Sequence, residues 1–141
     1  MIVCGIELSS STAICVILDG TSDDFEVVDA GASKFELDDS DSAKSVVAFH
    51  KSFNEFVSGQ EIDRIAIKKR SAKAKGKYAS GPITFKLEGL IQLCENVEVR
   101  LVSPNTIAAK LRKKKLPEPE VKLFKYQIPA YETAFAALSL K

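Results

Sequence analysis

Ile2-Val3-Cys4-Gly5-Ile6-Glu7-Leu8 is an apolar run interrupted by one carboxylate, and Ser9-Ser10-Ser11 separates it from a second apolar run, Thr12 to Leu18. Two such runs joined by a short turn of small residues predict a β-hairpin at the start of a sheet. A carboxylate near the end of a buried strand is costly unless a metal, a cation or several hydrogen bonds offset its desolvation. Glu7 is therefore the first residue to examine for chemistry.

Working outward, the second strand turns at Asp19-Gly20, a third strand fits Phe25 to Ala30, and an extended piece continues through Phe35 to Leu37. Asp38 to Ser42 is a polar, acidic approach to a helix, in which Val46, Phe49, Phe53 and Val57 follow helical spacing up to a stop at Gly59. Arg64 to Lys68 encloses Ile65-Ala66-Ile67 and reads as a buried strand, followed by a basic loop to Ser80. Three prolines then mark helix starts, where a missing N–H costs nothing. Pro82 opens a helix with Ile83, Leu87, Leu90, Ile91 and Cys94 on its core face. Pro104, behind the N-cap Ser103, opens another that runs to about Lys113, and Pro129 opens the last, carrying Tyr131, Phe135 and Leu138. Val97 to Val102 is the remaining strand, and Lys113 to Gln127 an extended arm.

The order β-β-β-α-β-α-β-α-α implies an α/β fold. Its mixed five-stranded sheet has a three-stranded antiparallel meander plus two parallel strands, with helices on both faces. Sites in such sheets lie at the carboxyl ends of the parallel strands. Glu7 ends the first strand and Lys68-Lys69-Arg70 the fourth, and a right-handed crossover sets those ends side by side.

A chain of 141 residues predicts a single domain over residues 1–141, and no apolar stretch approaches the length of a membrane span. No basic segment precedes the first apolar run, so a cytoplasmic protein without a secretory signal is expected. Cys4, Cys15 and Cys94 lack metal-ligand spacing and read as buried thiols; the lone His50 supports no zinc site. Residues 1–60 hold 11 acidic and 3 basic side chains, a net of −8, whereas residues 61–141 reach +9 with 17 basic and 8 acidic. The basic excess lies in Lys68, Lys69, Arg70, Lys73, Lys75 and Lys77, and again in Lys110, Arg112, Lys113, Lys114 and Lys115. Such asymmetry suits a polyanion on one face, or else solvated loops balancing an acidic half. The first cluster alternates cations with small residues and adds Tyr78, which suits phosphate contacts by Lys68, Arg70, Lys73, Lys75 and Lys77 and one stacked base.

This element order, with an acid ending the first strand, resembles the ribonuclease-H-like superfamily, and within it the RuvC-type Holliday-junction resolvases. Gly5-Ile6-Glu7-Leu8-Ser9 is similar to the strand-one metal-binding motif, and Ile65-Ala66-Ile67-Lys68-Lys69-Arg70 occupies the strand-four motif. Leu101-Val102-Ser103-Pro104 resembles the final strand running into its helix, and Tyr131-Glu132-Thr133-Ala134-Phe135-Ala136 occupies the acidic C-terminal helix motif. The whole chain also looks like a small bacterial protein family with this predicted fold. The resemblance implies a catalytic Mg²⁺ or Mn²⁺ held by Glu7 and Glu132, with Lys69 contacting the scissile phosphate or replacing a metal's charge. The chain departs from the pattern in having Glu7 where Asp is usual, Lys69 or its neighbours where strand four ends in Glu, and Phe135 at the second acidic position of the last helix. Two aligned carboxylates stand where the pattern has four.

Glu7 is open to two readings, a metal ligand or a strand-end acid paired with Lys68 or Lys69. Glu132 is either the second ligand or a first-turn acid favoured by the helix dipole. Two functions follow: a metal-dependent nuclease acting on structured nucleic acid, or a module of the same fold that has lost catalysis and binds nucleic acid or protein. A nucleic-acid partner is expected and a membrane is not, while a homodimer is compatible with either function.

Overall fold

The computed structural model describes residues 1–70 and 81–141. β1 (Ile2–Ser9) and β2 (Thr12–Gly20) form the expected hairpin, in antiparallel register from Ile2 opposite Asp19 to Ser9 opposite Thr12. The third strand arrives in two pieces, β3 (Phe25–Val28) and β4 (Lys34–Glu36), and both pair with β2. Gly31 separates them in the left-handed region at φ 75°, with the Asp29 side chain accepting its N–H at 3.1 Å. Pairing resumes where Cys15 N donates to Ser33 O at 2.8 Å. The sheet consequently has six strands rather than five, and the third strand stops at Val28, short of Ala30.

Ser42 caps α1 (Ala43–Gly59), its hydroxyl accepting the Ser45 N–H at 3.3 Å, and the expected Phe49, Phe53 and Val57 are buried. β5 (Arg64–Lys68) runs parallel to β1, and β6 (Glu98–Val102) parallel to β5. α2 (Pro82–Gln92), α3 (Pro104–Lys113) and α4 (Ile128–Leu138) start at or one residue before their prolines. A 3₁₀ turn, Lys125–Gln127, leads into α4. On α2 the buried face is Thr84, Leu87 and Ile91 rather than a stripe beginning at Ile83, which is exposed. Cys94 is buried beyond the end of that helix.

The strand order β3-β2-β1-β5-β6 makes β1 and β5 central, and the period-two alternation of side chains divides the core. Cys4, Ile6, Leu8, Ile65 and Ile67 meet α1 and α2 on one face. Val3, Val16, Leu18, Ala66 and Val102 meet α3 and α4 on the other. Gly5 shares that second face, and a Cβ there would lie 2.2 Å from Ala130 O. Close approach of α4 to β1 therefore requires glycine at this position. The three cysteines are buried and free, as expected, and burial raises the Cys94 thiol to about 11. Among the described residues no helix is long and apolar enough to cross a membrane.

Candidate metal and nucleic-acid site

Because β1, β5 and β6 are parallel, their carboxyl ends share one edge of the sheet, where the chain order anticipated the site. The register Gly5 to Ala66 and Ile6 to Ile67 carries Glu7 alongside Lys68, and both side chains turn to the α4 face. Lys68 Nζ stands 3.8 Å from Glu7 Oε2, with 35% and 27% of the respective side chains exposed. A pair this long and this wet contributes only about 0–1 kcal/mol, so Lys68 does not lock Glu7 away from another cation. Lys69 is one residue further along, so the alternation turns it to the opposite face, where it is exposed; its backbone N–H donates to Val102 O at 2.8 Å. Among the described residues Lys68, not Lys69, is the cation paired with Glu7.

Glu132 is half-buried on α4, near enough for its charge to act on Glu7. The helix starts at Ile128, so Glu132 stands in the second turn, beyond the first-turn acids that the dipole favours. Burial raises the Glu7 carboxyl above its ordinary 4.5; Lys68 opposes the rise and Glu132 adds to it. The net rise means that Lys68 does not fully compensate burial and the second carboxylate. Among the described residues, two acids and one ammonium leave a residual negative charge at this edge.

With a folded-state value above 4.5, the folded chain holds the Glu7 proton more tightly than the unfolded chain does. The resulting stability is complete below pH 4.5 and is lost as pH rises through the raised value. Glu7→Gln should therefore raise the melting temperature at pH 7 in EDTA, with the gain shrinking as pH falls toward 4.5. Thermal melts across that range check it; a variant less stable than wild type at pH 7 would contradict the assigned environment.

Arg70 is less available than its place in the basic cluster implied. Its side chain is only 9% exposed, and the guanidinium pairs with Glu88 and lies 4.9 Å from the Phe85 ring centroid. Burial lowers its pKa, and its Nη1 also donates to Lys68 O at 3.3 Å. Arg70 thus braces the end of β5 against α2, with Glu88 as its counter-ion. Lys73, Lys75, Lys77 and Tyr78 lie outside the described residues. The Lys110–Lys115 cluster is at the far end of the sheet from Glu7, since Lys114 Nζ meets Asp23 at 2.9 Å in the β2–β3 turn. Among the described residues no three His, Cys, Asp or Glu side chains group as a metal site.

The chain superposes on Thermus thermophilus RuvC with a TM-score of 0.73 at 11% identity, covering 98% of this chain and 94% of that one. The T. thermophilus RuvC in complex with Holliday junction substrate gives a TM-score of 0.70 at 13% identity, with the same coverage of 98% and 94%. The fold is ribonuclease-H-like, as the element order implied. The chain belongs to the family described as protein of unknown function (DUF3010), whose model matches residues 1–137. No curated protein matches it.

Proposed function

We propose that this chain is a single ribonuclease-H-like domain, residues 1–141, that cleaves structured nucleic acid with the help of one divalent ion. The observation that carries the reading is the meeting of Glu7, Glu132 and Lys68 at the carboxyl edge of the parallel strands. The similar RuvC structure, described in complex with a Holliday junction substrate, supports a branched nucleic acid as the substrate class.

The donor set decides how many ions fit. Two ions held about 3.5–4 Å apart need more carboxylates than Glu7 and Glu132 provide. One hydrated Mg²⁺ or Mn²⁺ is satisfied by one or two carboxylates with water and substrate phosphate completing the octahedron. Glu7 and Glu132 are the residues that would hold it. When bound, such an ion supplies Lewis-acid activation of the phosphodiester. Lys68 lies at the lip of the same edge, where its ammonium screens the incoming phosphate and helps orient it. Lys69, on the other face, is left to contact a flanking strand. Lys73, Lys75, Lys77 and Tyr78 supply further backbone and base contacts in this reading.

The test incubates labelled four-way junction, duplex and single-stranded substrates with Mn²⁺ or EDTA, using wild type and Glu7→Ala. Cleavage should require Mn²⁺ and fall by about 100-fold or more in the variant, while gel-shift affinity is retained. Mn²⁺ should also raise the melting temperature of the wild type but not of Glu7→Ala. A second reading, a binding module without catalysis, draws on the absence of a third acidic ligand among the described residues. Salt-sensitive binding without cleavage or a Mn²⁺ shift would select it. Neither cleavage nor binding would overturn both.

A further inference from the structure

The geometry points to a stacking platform for an unpaired nucleobase, built by Phe124 and Tyr126 beside the Glu7 edge. It rests on the nucleic-acid reading above and adds a base-binding site to it. The Phe124 and Tyr126 rings are parallel within 6°, with centroids 5.4 Å apart. Lys34 Nζ sits 4.0 Å from the Tyr126 centroid, so a cation caps this aromatic pair. Phe124 nevertheless remains 59% exposed and Tyr126 36%. Two large aromatic rings left in water while stacked on one another are a preformed apolar surface with no cover of their own.

The platform is rigidly mounted. Phe124 N donates to Gln127 Oε1 and Gln127 N to Phe124 O, both at 2.9 Å, and Gln127 is buried at the head of α4. Tyr131, inside α4, donates its hydroxyl to Pro117 O at 2.6 Å and so anchors the other end of the arm. Little ordering remains to be done when a base arrives.

Its position relative to Glu7 follows from strand register. Lys34 pairs with Ile14, Ile14 with Glu7, and Lys68 follows Ile67 on the neighbouring strand, so these four lie in one row across the sheet. Neighbouring strands are about 4.8 Å apart, which sets the Lys34 backbone roughly 10 Å from that of Glu7. A single strand whose phosphate lies at Glu7 and Lys68 can therefore place a base one or two nucleotides away on the aromatic pair. Charge supports a nucleic acid over an apolar protein partner. Lys122-Leu123-Phe124-Lys125-Tyr126 interleaves cations with aromatics, and Lys122 and Lys125 are exposed on either side of Phe124. Every base offers a π-face, so such a surface binds unpaired nucleotides without reading their sequence.

The chain contains no tryptophan, so Phe124→Trp introduces a lone reporter. The experiment titrates that variant, wild type and Phe124→Ala with single-stranded and four-way-junction oligonucleotides, following indole emission and gel shift, with sedimentation as a control. Binding should quench the emission of the introduced indole, and Phe124→Ala should weaken single-strand affinity roughly 5- to 100-fold. Phe124→Trp should retain affinity, and melting temperatures should stay unchanged, because the ring is exposed. Saturated binding without quenching, or with unchanged affinity in Phe124→Ala, would overturn the platform while leaving the nucleic-acid reading intact. Failure of wild type to bind any oligonucleotide would overturn both. A wild-type dimer that Phe124→Ala dissociates would assign the patch to a second copy of the chain instead.

Discussion

Gly5→Ala is expected to lower the melting temperature by about 10 °C. An added Cβ would lie 2.2 Å from Ala130 O, 2.5 Å from Ala134 N and 2.6 Å from Ala134 Cβ. Two of those three atoms belong to the backbone of α4, which cannot rotate aside as a flexible side chain would. The helix must move off the sheet as a unit, opening contacts of Tyr131, Phe135, Ala136 and Ala137 on the same face. Overpacking a core by one methyl ordinarily costs about 1–3 kcal/mol, and contact with rigid backbone belongs at the top of that range. The usual stabilisation from replacing glycine in a strand, about 0.5–1 kcal/mol, offsets only part of it. Ala134→Gly in the same chain should restore stability only in part, because the carbonyl clash remains. The displacement also carries Glu132 away from Glu7, so the Mn²⁺ shift expected of the wild type should shrink together with stability. Circular dichroism melts of the single and double variants check this; an unchanged melting temperature would show that α4 can slide without cost.

The second large effect is at Arg64, which is 5% exposed in the first position of β5. Its Nη1 donates to Ala137 O at 2.7 Å and Leu140 O at 3.0 Å, and its Nε to Glu98 Oε2 at 2.9 Å. The first two bonds tie the Ala137 carbonyl in the last turn of α4, and the Leu140 carbonyl just beyond that helix, to the start of β5. Arg64→Met keeps most of the stem and removes three donor bonds, leaving Ala137 O with only its 3.3 Å backbone bond from Leu140 N and taking the guanidinium away from Leu140 O and Glu98. Such bonds to a charged donor contribute about 1.5–3 kcal/mol each, and unfolding should become easier by about 3 kcal/mol. Arg64→Lys should recover little, since one ammonium cannot reproduce the planar fork. Glu98 supplies the pH signature. Its carboxyl is held below 4.5 by hydrogen bonds from Arg100 first and Arg64 second. A depressed value means that its stabilisation is present above 4.5 and lost as pH falls through the lowered value. Arg64→Met should weaken that acid dependence without abolishing it, because Arg100 Nη1 still donates to Glu98 Oε1 at 3.0 Å. Urea unfolding at pH 7 and pH 3 tests both statements, and identical pH slopes in variant and wild type would remove Arg64 from the account.

Local signals marked the elements well, and local physics explains why. The hairpin, the Ser42 and Ser103 caps and the prolines opening α2, α3 and α4 act within a few residues, so the order of elements was legible before any packing was known. Glu7 was legible too, because a carboxylate in an apolar strand is an anomaly at any register. The aromatic platform had a visible trace in the alternation of lysine and aromatic residues from Lys122 to Tyr126, although within an arm between helices that trace has no partner to give it meaning.

What only the tertiary structure decided was which residues share a face. Lys68 and Lys69 are equivalent by composition, and the parallel register of β1 and β5 separates them, because one step along a strand reverses the side chain. Arg70 belongs to a basic run, yet contact with Glu88 and Phe85 on α2 takes it out of solvent. Gly5 becomes indispensable only through a helix at the other end of the chain, whose backbone occupies the space a Cβ would need. The sequence by itself determined the elements, their order and the exceptional carboxylate, since those follow from short-range sterics and periodicity. Register and helix docking assigned the partners, since both are settled by contacts between residues far apart along the chain.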